Sequence, residues 1–463
     1  MKVDRRAFLS ASAAAIAITP IAPIAKGSVK GANDRVIAAF VGVGGMGRAN
    51  LSDFMLMKDV SVAAVCDVWE HNRSLAAKMT ETQSSGQAKA FSDFRQVLDL
   101  KEVDVVVIST PDHWHALPAV LACEAGKDVY VEKPLAHNIH EGRKMLETAL
   151  RCRRVVQMGT QQRSGKHYQE AFELIRSGEI GKISQVKTWN YLNESPGGIG
   201  NPPDGDPPKG LDWDMYLGPA PSVPFNSNRF IYNFRWFWDY AGGMMCDWGT
   251  HHIDSVHAAM GASAPLAVSA SGGKYYLKDN RQTPDTLQVV YEYPGFLLTY
   301  SHRALNARSC QNRGYGIEFY GTQGTLFLDR AGYEIYPETR NIKEEPIAPY
   351  LQQMQEDEKP LRPWERPRTE RRGRSQLVEA EGSEQHVSHI RNFVDCVKSR
   401  AKPNSDIESS HFSTTAAHLG NIALKTGRKI RWDAQRGQIL EDPEANKLLR
   451  RSYRKPWDYL AQD

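Results

Sequence analysis

Short apolar runs rich in β-branched residues recur through the first third of the chain, and helical patterns separate them. The runs are Val36 to Val41, Val60 to Val65, Ala88 to Phe91, Val103 to Ile108, Asp128 to Val131 and Val155 to Met158. Strands that are buried on both faces are apolar almost throughout, and their alternation with helices is typical of parallel sheets. The pattern predicts an α/β domain with a doubly wound parallel sheet that ends near Gly159.

After Gly159 the pattern changes to an alternation of apolar and polar residues. Four such segments are separated by turn sequences: Leu266 to Tyr276, Thr286 to Tyr293, Phe296 to Leu305 and Tyr315 to Leu328. Alternation is typical of antiparallel strands with one buried face, and helical patterns near 246–260 and 412–425 supply apolar faces to cover it. We predict a second, α+β domain with a large open antiparallel sheet, through which copies of the chain associate as a homo-oligomer.

These patterns divide the chain into segments. Residues 1–33 precede the first strand, 34–158 form the first domain, 159–430 form the second, and 431–463 are a C-terminal tail. Residues 337–380 of the second domain are polar, rich in proline and contain clustered arginines. No aromatic residue is interleaved between Arg366 and Arg374, so a solvated arm or an oligomer contact is favoured over a nucleic-acid surface.

The first residues differ from the rest of the chain. Arg5 and Arg6 stand in the sequence Asp-Arg-Arg-Ala-Phe-Leu, and the stretch that follows is rich in alanine and isoleucine and uncharged up to Ala25. This pattern is typical of a twin-arginine export signal, which predicts delivery of the folded protein to the periplasm through the twin-arginine translocase. An uncleaved membrane anchor is the alternative, and Pro20 and Pro23 disfavour it.

Composition excludes several classes of protein. Hydrophobic residues make up 41% and charged residues 24% of the 463, which is a globular and not a disordered composition. The formal net charge of +4 is too small to attract nucleic acid or a membrane surface through bulk electrostatics. The six cysteines include no C-x-x-C pair, so we expect free, mostly buried thiols and neither a zinc site nor a disulfide framework.

A glycine-rich turn follows the first strand directly. Gly42, Gly44 and Gly47 have the spacing G-x-G-x-x-G, and Gly45 and Met46 lie between the last two as a helical pattern begins. In this arrangement the first glycine permits the turn, the second lets the backbone approach a pyrophosphate, and the third allows close packing of helix against strand. The phosphates then face the N-terminus of the helix, so the turn predicts a dinucleotide site.

The second predicted strand ends at Asp67, 20 residues beyond Gly47. At about this spacing an acidic side chain accepts hydrogen bonds from the adenosine ribose, and its charge repels a 2′-phosphate. The sequence therefore predicts NAD and disfavours NADP. Arg73 keeps NADP open, although its position in the next helix favours exposure to solvent.

Three motifs, in order along the chain, resemble those of the Gfo/Idh/MocA oxidoreductases. They are Ser-Thr-Pro-Asp-His-Trp-His after the fourth strand, Glu-Lys-Pro-Leu-Ala after the fifth, and the D-x-G-x-H-x-x-D element from Asp247 to Asp254. The resemblance implies a Rossmann nucleotide-binding domain and activity on polyols or sugars. It also implies that the cofactor contacts the motif residues Thr110, Pro111, His115, Glu132 and Lys133.

Oxidation of an alcohol requires a hydride acceptor and a base that removes the hydroxyl proton. Asp247 and His251 are spaced i, i+4, which places both on one face of a helix. His251 is the predicted base, and Asp247 either orients it or holds a hydroxyl and raises the pKa of the imidazole. Lys133 follows a parallel strand and is predicted to stabilise alkoxide charge. The resemblance implies the same roles.

Other residues are weaker candidates for contact with the substrate. Arg163 lies in Gln-Gln-Arg-Ser, where family enzymes keep Asn-x-Arg-Phe, and it is a candidate for binding a hydroxyl or carboxylate. Trp236 belongs to an aromatic-rich stretch and is predicted to line the pocket, and His252 either lines it or is packed. A zinc site at His251 and His252 is disfavoured, because consecutive helical residues point about 100° apart.

Three functions remain open. The first is an NAD-dependent oxidoreductase that acts on a sugar, glycoside or polyol. The second is a redox-neutral glycosidase that oxidises a ring hydroxyl transiently, eliminates the aglycone and returns the hydride. The third is a protein that binds sugar and nucleotide without turnover, which the presence of Lys133, Asp247 and His251 disfavours.

Overall fold

The first sheet contains six parallel strands, which agree with the six apolar runs to within two residues. The computed structural model describes residues 35–83, 87–310, 312–338 and 378–461. The strands are β1 Val36–Val41, β2 Val60–Cys66, β3 Lys89–Phe91, β4 Val105–Ile108, β5 Asp128–Val131 and β6 Val156–Met158. They lie in the order β3-β2-β1-β4-β5-β6, so the winding reverses between β1 and β4. Ligands of open α/β sheets bind at the carboxyl ends of strands at such a point.

Five helices connect these strands and cover both faces of the sheet. They are α1 Gly45–Met55, α2 Glu70–Gln83, α3 Phe94–Leu98, α4 Ala116–Glu124 and α5 Ile139–Cys152. Helices α1 and α2 pack on one face and α3, α4 and α5 on the other, which explains why the strands are apolar on both sides.

The second part of the chain adds ten strands and six helices among the described residues. In chain order they are α6 Lys166–Ser177, β7 Ile183–Tyr191, α7 Trp213–Leu217, α8 Gly243–Met260, β8 Ala267–Gly273, β9 Thr286–Tyr293, β10 Phe296–Arg303, β11 Tyr315–Gly321, β12 Gly324–Asp329, β13 Gly332–Pro337, β14 Val378–Glu381, α9 His386–Ser399, α10 Ile407–Thr426, β15 Ile430–Asp433, β16 Gln438–Ile439 and α11 Pro443–Lys447.

The strands of this part form one large sheet in the order β14-β13-β12-β11-β7-β10-β9-β8-β15-β16. All neighbouring pairs are antiparallel except β7 and β10, which run parallel. The sheet is therefore mixed and mostly antiparallel. The parallel pair is possible because a long connection, residues 192–285, separates β7 from the hairpin of β9 and β10.

Helices α6, α8 and α10 cover one face of the large sheet. Their apolar side chains, such as Phe172, Ile253 and Leu419, join the strand residues in a single buried cluster. On the opposite face Val290 and Leu297 are exposed. The association of copies through this sheet remains a prediction.

Packing crosses the segment limits at 158 and 430. Ile390 and Phe393 of α9 lie against the same face of the first sheet as Phe54. Residues 431–463 begin inside β15 and end with Trp457 and Leu460 buried against the first domain. The described residues between 35 and 461 accordingly belong to one folded unit, and the C-terminal segment is packed as far as it is described.

Two predicted features lie outside the described residues. They are the export signal in residues 1–33 and most of the arm, since residues 339–377 are not described.

Within the described ranges, no helix combines the length and the apolar character that a membrane span requires. The six cysteines are unpaired, four of them buried and two half-buried.

Candidate functional site

A cleft of about 450 Å³ runs along the carboxyl ends of β1, β2, β4 and β5. Residues that follow these strands, among them Asp67, Thr110 and Lys133, form one wall. Helix α8 and the end of the long loop after β7 form the other. The cleft therefore lies where the first sheet meets the second domain.

The glycine turn has the backbone geometry that a dinucleotide site needs. Gly42 has φ of +80°, and a Cβ there would lie 2.7 Å from the amide nitrogen of Thr110. A Cβ on Gly47 would lie 2.0 Å from the carbonyl oxygen of Gly42, so only glycine allows α1 to pack this closely on β1. The predicted roles of the first and third glycines agree with this geometry.

The first turn of α1 leaves backbone amides available for an anion. Gly44 is the N-cap, and no side chain caps the helix there. Gly44, Gly45 and Met46 line the cleft, and a Cβ on Gly44 would meet no atom nearer than 3.9 Å. Thr110 also lines the cleft, and its buried Oγ1 has no hydrogen-bond partner among the described residues. These groups fit a dinucleotide whose phosphates face the helix N-terminus.

Asp67 lies at the end of β2 and fixes the turn as well as lining the cleft. Its carboxylate accepts hydrogen bonds from the backbone amides of Val43 and Trp69, each at 2.9 Å. Burial raises the pKa of Asp67, and the two amide hydrogen bonds oppose that effect. Arg73 donates to the backbone carbonyl of Asp67 at 2.7 Å, which ties its guanidinium to the end of the strand.

All but two of the predicted cofactor residues line the cleft: Gly42, Gly44, Gly45, Met46, Asp67, Thr110, Pro111, Glu132 and Lys133. The exceptions are Gly47, which packs helix on strand, and His115. The Nδ1 of His115 lies 2.7 Å from the carbonyl oxygen of Pro134, and its Nε2 lies 2.9 Å from that of Thr110. His115 thus joins the two motif loops and holds their positions from behind the cleft.

Lys133, Asp247 and Arg235 form a half-buried charge cluster that lines the cleft. Lys133 Nζ donates to Asp247 Oδ1, and Arg235 Nη1 lies 3.2 Å from Asp247 Oδ2. Although burial opposes it, the charges of Arg235 and Lys133 hold the pKa of Asp247 well below its usual range. Asp247 therefore remains ionised and positions two cations, one from the end of β5 and one from the long loop.

His251 follows Asp247 by one helical turn and lines the same cleft. Its Nδ1 is buried without a hydrogen-bond partner among the described residues. Burial and the charges of Arg330 and Lys133 hold the pKa of His251 well below its ordinary value. Asp247 acts in the opposite sense and raises the pKa of His251, as predicted, but burial and the two cations outweigh it. The neutral imidazole is the form that can accept a proton.

Asp112 adds a second carboxylate that the sequence interpretation did not assign. It lines the cleft within the Thr-Pro-Asp motif, and its side chain is buried. Burial and the negative charge of Asp247 raise the pKa of Asp112 to about 7, against the opposing charges of Lys133 and Arg235. Asp112 can therefore exchange a proton near neutral pH.

Three predicted substrate contacts are not part of the cleft wall. Arg163 donates to both carboxylate oxygens of Asp254, at 2.6 and 2.9 Å, and is occupied by this buried ion pair. Trp236 is fully buried beneath Arg281, whose guanidinium lies 4.6 Å from the ring centroid. His252 is buried against Trp248. His252 therefore has the packed position that was the alternative for it, and a substrate role for Arg163 and Trp236 remains a prediction that the cleft wall does not support.

Arg235 and Arg330 line the cleft and were missed by sequence reasoning. Arg235 lies in the same aromatic-rich stretch from which Trp236 was predicted to line the pocket. The alternation of residues along this stretch does not show which of its two sides faces the cleft. Arg330 lies in the turn between β12 and β13, far along the chain from every motif. Across the described ranges no group of three His, Cys, Asp or Glu side chains is arranged to hold a metal ion.

Comparison with known proteins identifies both parts of the chain. Residues 36–160 match the family description "Oxidoreductase family, NAD-binding Rossmann fold". Residues 182–292 and 377–459 match "Oxidoreductase family, C-terminal alpha/beta domain" of the same Gfo/Idh/MocA group. The second match includes α9, which packs on the first sheet.

Curated relatives share shorter segments. A glycosyl hydrolase family 109 protein of Shewanella pealeana is 28% identical over 207 residues, 40% of this chain and 45% of that protein. An alpha-N-acetylgalactosaminidase of Shewanella oneidensis is 28% identical over 152 residues, 32% of this chain and 33% of that protein. The chain thus spans less than half the length of these relatives.

A solved structure shares the fold over most of the chain. The WlbA dehydrogenase of Bordetella pertussis, in complex with NADH and UDP-GlcNAcA, superposes with a TM-score of 0.60 at 16% identity. The match covers 86% of this chain and 99% of that one.

The charge of Asp67 is expected to favour NAD over NADP. Asp67→Asn keeps the shape and removes the charge, so the ratio of NADP to NAD dissociation constants should fall about 10- to 100-fold, as expected for the loss of a charged hydrogen bond to the ribose. Competition binding to cofactor-stripped protein measures this ratio. Arg73→Gln serves as the control and should leave it near the wild-type value. Wild-type protein that binds NADP more tightly than NAD would contradict the role of Asp67.

Proposed function

The chain belongs to the Gfo/Idh/MocA oxidoreductase family, and on that premise we propose that it oxidises a hydroxyl group of a sugar, glycoside or polyol with NAD. The observation that carries this proposal is that Lys133, its partner Asp247 and His251 line one cleft together with most of the predicted cofactor residues. A binding protein needs no ion-paired ammonium beside a buried neutral imidazole. The same groups supply charge stabilisation and a base.

In the proposed reaction the alcohol carbon loses a hydride and the hydroxyl loses a proton, which gives a ketone. NAD, when bound, accepts the hydride. His251 accepts the hydroxyl proton, because the depressed pKa of His251 keeps the imidazole neutral before the reaction. Lys133 donates a hydrogen bond to the substrate oxygen as negative charge develops there. Asp247 holds the ammonium in place through one carboxylate oxygen, and Arg235 binds the other oxygen of the same carboxylate.

A second candidate is a redox-neutral glycosidase, and the glycosyl hydrolase relatives favour it specifically. In this scheme the ketone acidifies the neighbouring C–H, loss of that proton eliminates the aglycone, water adds to the resulting double bond, and the hydride returns to the ketone. Both candidates begin with the same oxidation, so the same residues serve both. They differ in what happens to the glycosidic bond.

A panel of nitrophenyl glycosides separates the two candidates. We expect wild-type protein either to release nitrophenolate with no net ketosugar or to accumulate ketosugar with the glycosidic bond intact, as measured by absorbance and mass spectrometry. His251→Gln should lower either rate by about 10²- to 10⁴-fold, since a general base is removed. His252→Gln, beside it but packed away from the cleft, should retain most activity. Near wild-type turnover by His251→Gln would exclude His251 as the base.

We also propose that NAD stays bound through many turnovers. The long loop contacts the β2–α2 connection beside Asp67: Glu70 N donates to the carbonyl of Gly210 at 2.9 Å, and Trp69 pairs with Leu211. The Trp69 ring also packs against Phe230 at a centroid distance of 5.4 Å. A nucleotide whose ribose reaches Asp67 would leave only after these contacts open, so its dissociation would be slow.

Retention of the cofactor agrees with the proposed export of folded protein to the periplasm, where free NAD to replace a lost molecule is scarce. Turnover would then be ping-pong, with one substrate reducing the cofactor and a second carbonyl compound, or the same ring, reoxidising it.

The proposal predicts near-stoichiometric NAD(H) in protein purified without added nucleotide, quantified by mass spectrometry after denaturation. Trp69→Ala should lower that occupancy. Folded wild-type protein that carries no nucleotide would contradict retention.

A further inference from the structure

Arg330 presents a guanidinium to the cleft and has no partner of opposite charge among the residues that the structure describes. The residue lies in the turn between β12 and β13 and lines the cleft that contains His251. Its Nε atom is buried and has no hydrogen-bond partner in the described ranges, although the side chain as a whole is only half-buried. Buried polar atoms normally have a hydrogen-bond partner, because loss of hydration without replacement is costly.

The other arginine of the cleft shows the usual arrangement. Arg235 lies 3.2 Å from Asp247 and its charge is compensated. Arg163, which lies behind the cleft, is paired with Asp254. Among the described cleft-lining arginines, Arg330 alone has no carboxylate partner.

Nearby carboxylates are directed to other groups. Asp329 accepts a hydrogen bond from the amide of Ala331 at 2.8 Å and lies 3.7 Å from Arg313. Glu381 and Glu384 line an open extension of the cleft beyond Arg330, but neither pairs with it. The guanidinium charge is therefore available to a ligand.

Aromatic packing fixes the guanidinium. The Cζ atom of Arg330 lies 4.8 Å from the ring centroid of Trp248, and that ring packs on Tyr315 at 4.8 Å. A cation–π contact of this kind stabilises an arginine without using its N–H donors. Trp248 stands between Asp247 and His251 in α8, so the contact brings the charge of Arg330 to the reacting end of the cleft.

The charge of Arg330 is also felt by the base. After burial, it is the largest influence that lowers the pKa of His251. An anion bound at Arg330 would screen this charge from the imidazole. Geometry places both groups beside Trp248: the Cζ atom of Arg330 lies 4.8 Å and the ring centroid of His251 6.1 Å from the Trp248 ring centroid, so one bound sugar can reach both.

We propose that Arg330 forms a subsite for a carboxylate of the substrate, so that acidic sugars such as uronic acids and their glycosides are the preferred ligands. The planar guanidinium offers paired N–H donors, which match the two oxygens of a carboxylate. This inference rests on the proposed function only in assigning the ligand as the substrate. The positive subsite itself follows from the contacts of Arg330.

The test compares matched acidic and neutral sugars. Wild-type protein should have a kcat/KM about 10- to 100-fold higher for nitrophenyl glucuronides and galacturonides than for the corresponding glucosides and galactosides, as expected for a charged hydrogen bond. Arg330→Met should lose this preference, and Arg330→Lys, which keeps the charge but not the paired donors, should retain part of it. Equal ratios in wild type and Arg330→Met would overturn the subsite.

Calorimetric titration of the NAD-loaded protein with glucuronate and with glucose tests the subsite without turnover. Tighter binding of glucuronate that is lost in Arg330→Met supports the subsite even if no sugar is oxidised, in which case only the proposed reaction fails. If neutral sugars turn over and acidic sugars are preferred neither in binding nor in rate, the proposed reaction is supported and the subsite is overturned. Binding of glucose by Arg330→Met with wild-type affinity shows that this variant is folded.

Discussion

The ion pair between Lys133 and Asp247 is the interaction on which the site depends. It joins the end of β5, in the nucleotide-binding sheet, to α8 of the second domain, and the two side chains are only 19% and 14% exposed. Removing one partner of a buried pair costs about 3–5 kcal/mol, because the other charge is left uncompensated. Arg235 adds a contact from the long loop. The carboxylate of Asp247 therefore fixes the position of α8 relative to the end of β5 and to the long loop.

Helix α8 carries both Asp247 and His251, so its register decides where the base lies. Buried polar contacts fix that register. Tyr300 donates to the carbonyl of Met244 at 2.9 Å near the start of the helix, and Arg163 binds Asp254 beyond the base. These contacts explain why Arg163, a plausible substrate ligand by sequence, has a supporting role. The polar residues of α8 divide into those that face the cleft and those that hold the helix.

The sequence predicts what depends on near neighbours along the chain. Gly42 and Gly47 were interpretable because their constraint, a turn between one strand and one helix, is local. Arg235 and Arg330 reach the cleft from loops whose positions depend on contacts with α8, and no spacing rule encodes such contacts. The packing of α9 on the first sheet was missed for the same reason, since helical periodicity gives an apolar face but not its partner.

In the proposed reaction Lys133 and Asp247 act as one catalytic unit, which a double-mutant cycle tests most directly. Lys133→Met, Asp247→Asn and the double variant, each loaded with NAD, would be compared by the single-turnover rate of nicotinamide reduction. Each single substitution should lower the rate by roughly 10² or more, and the double variant should be no slower than the slower single one, because residues that act as a unit are non-additive. A loss in the double variant equal to the product of the two single losses would show that the residues act independently and would contradict the account.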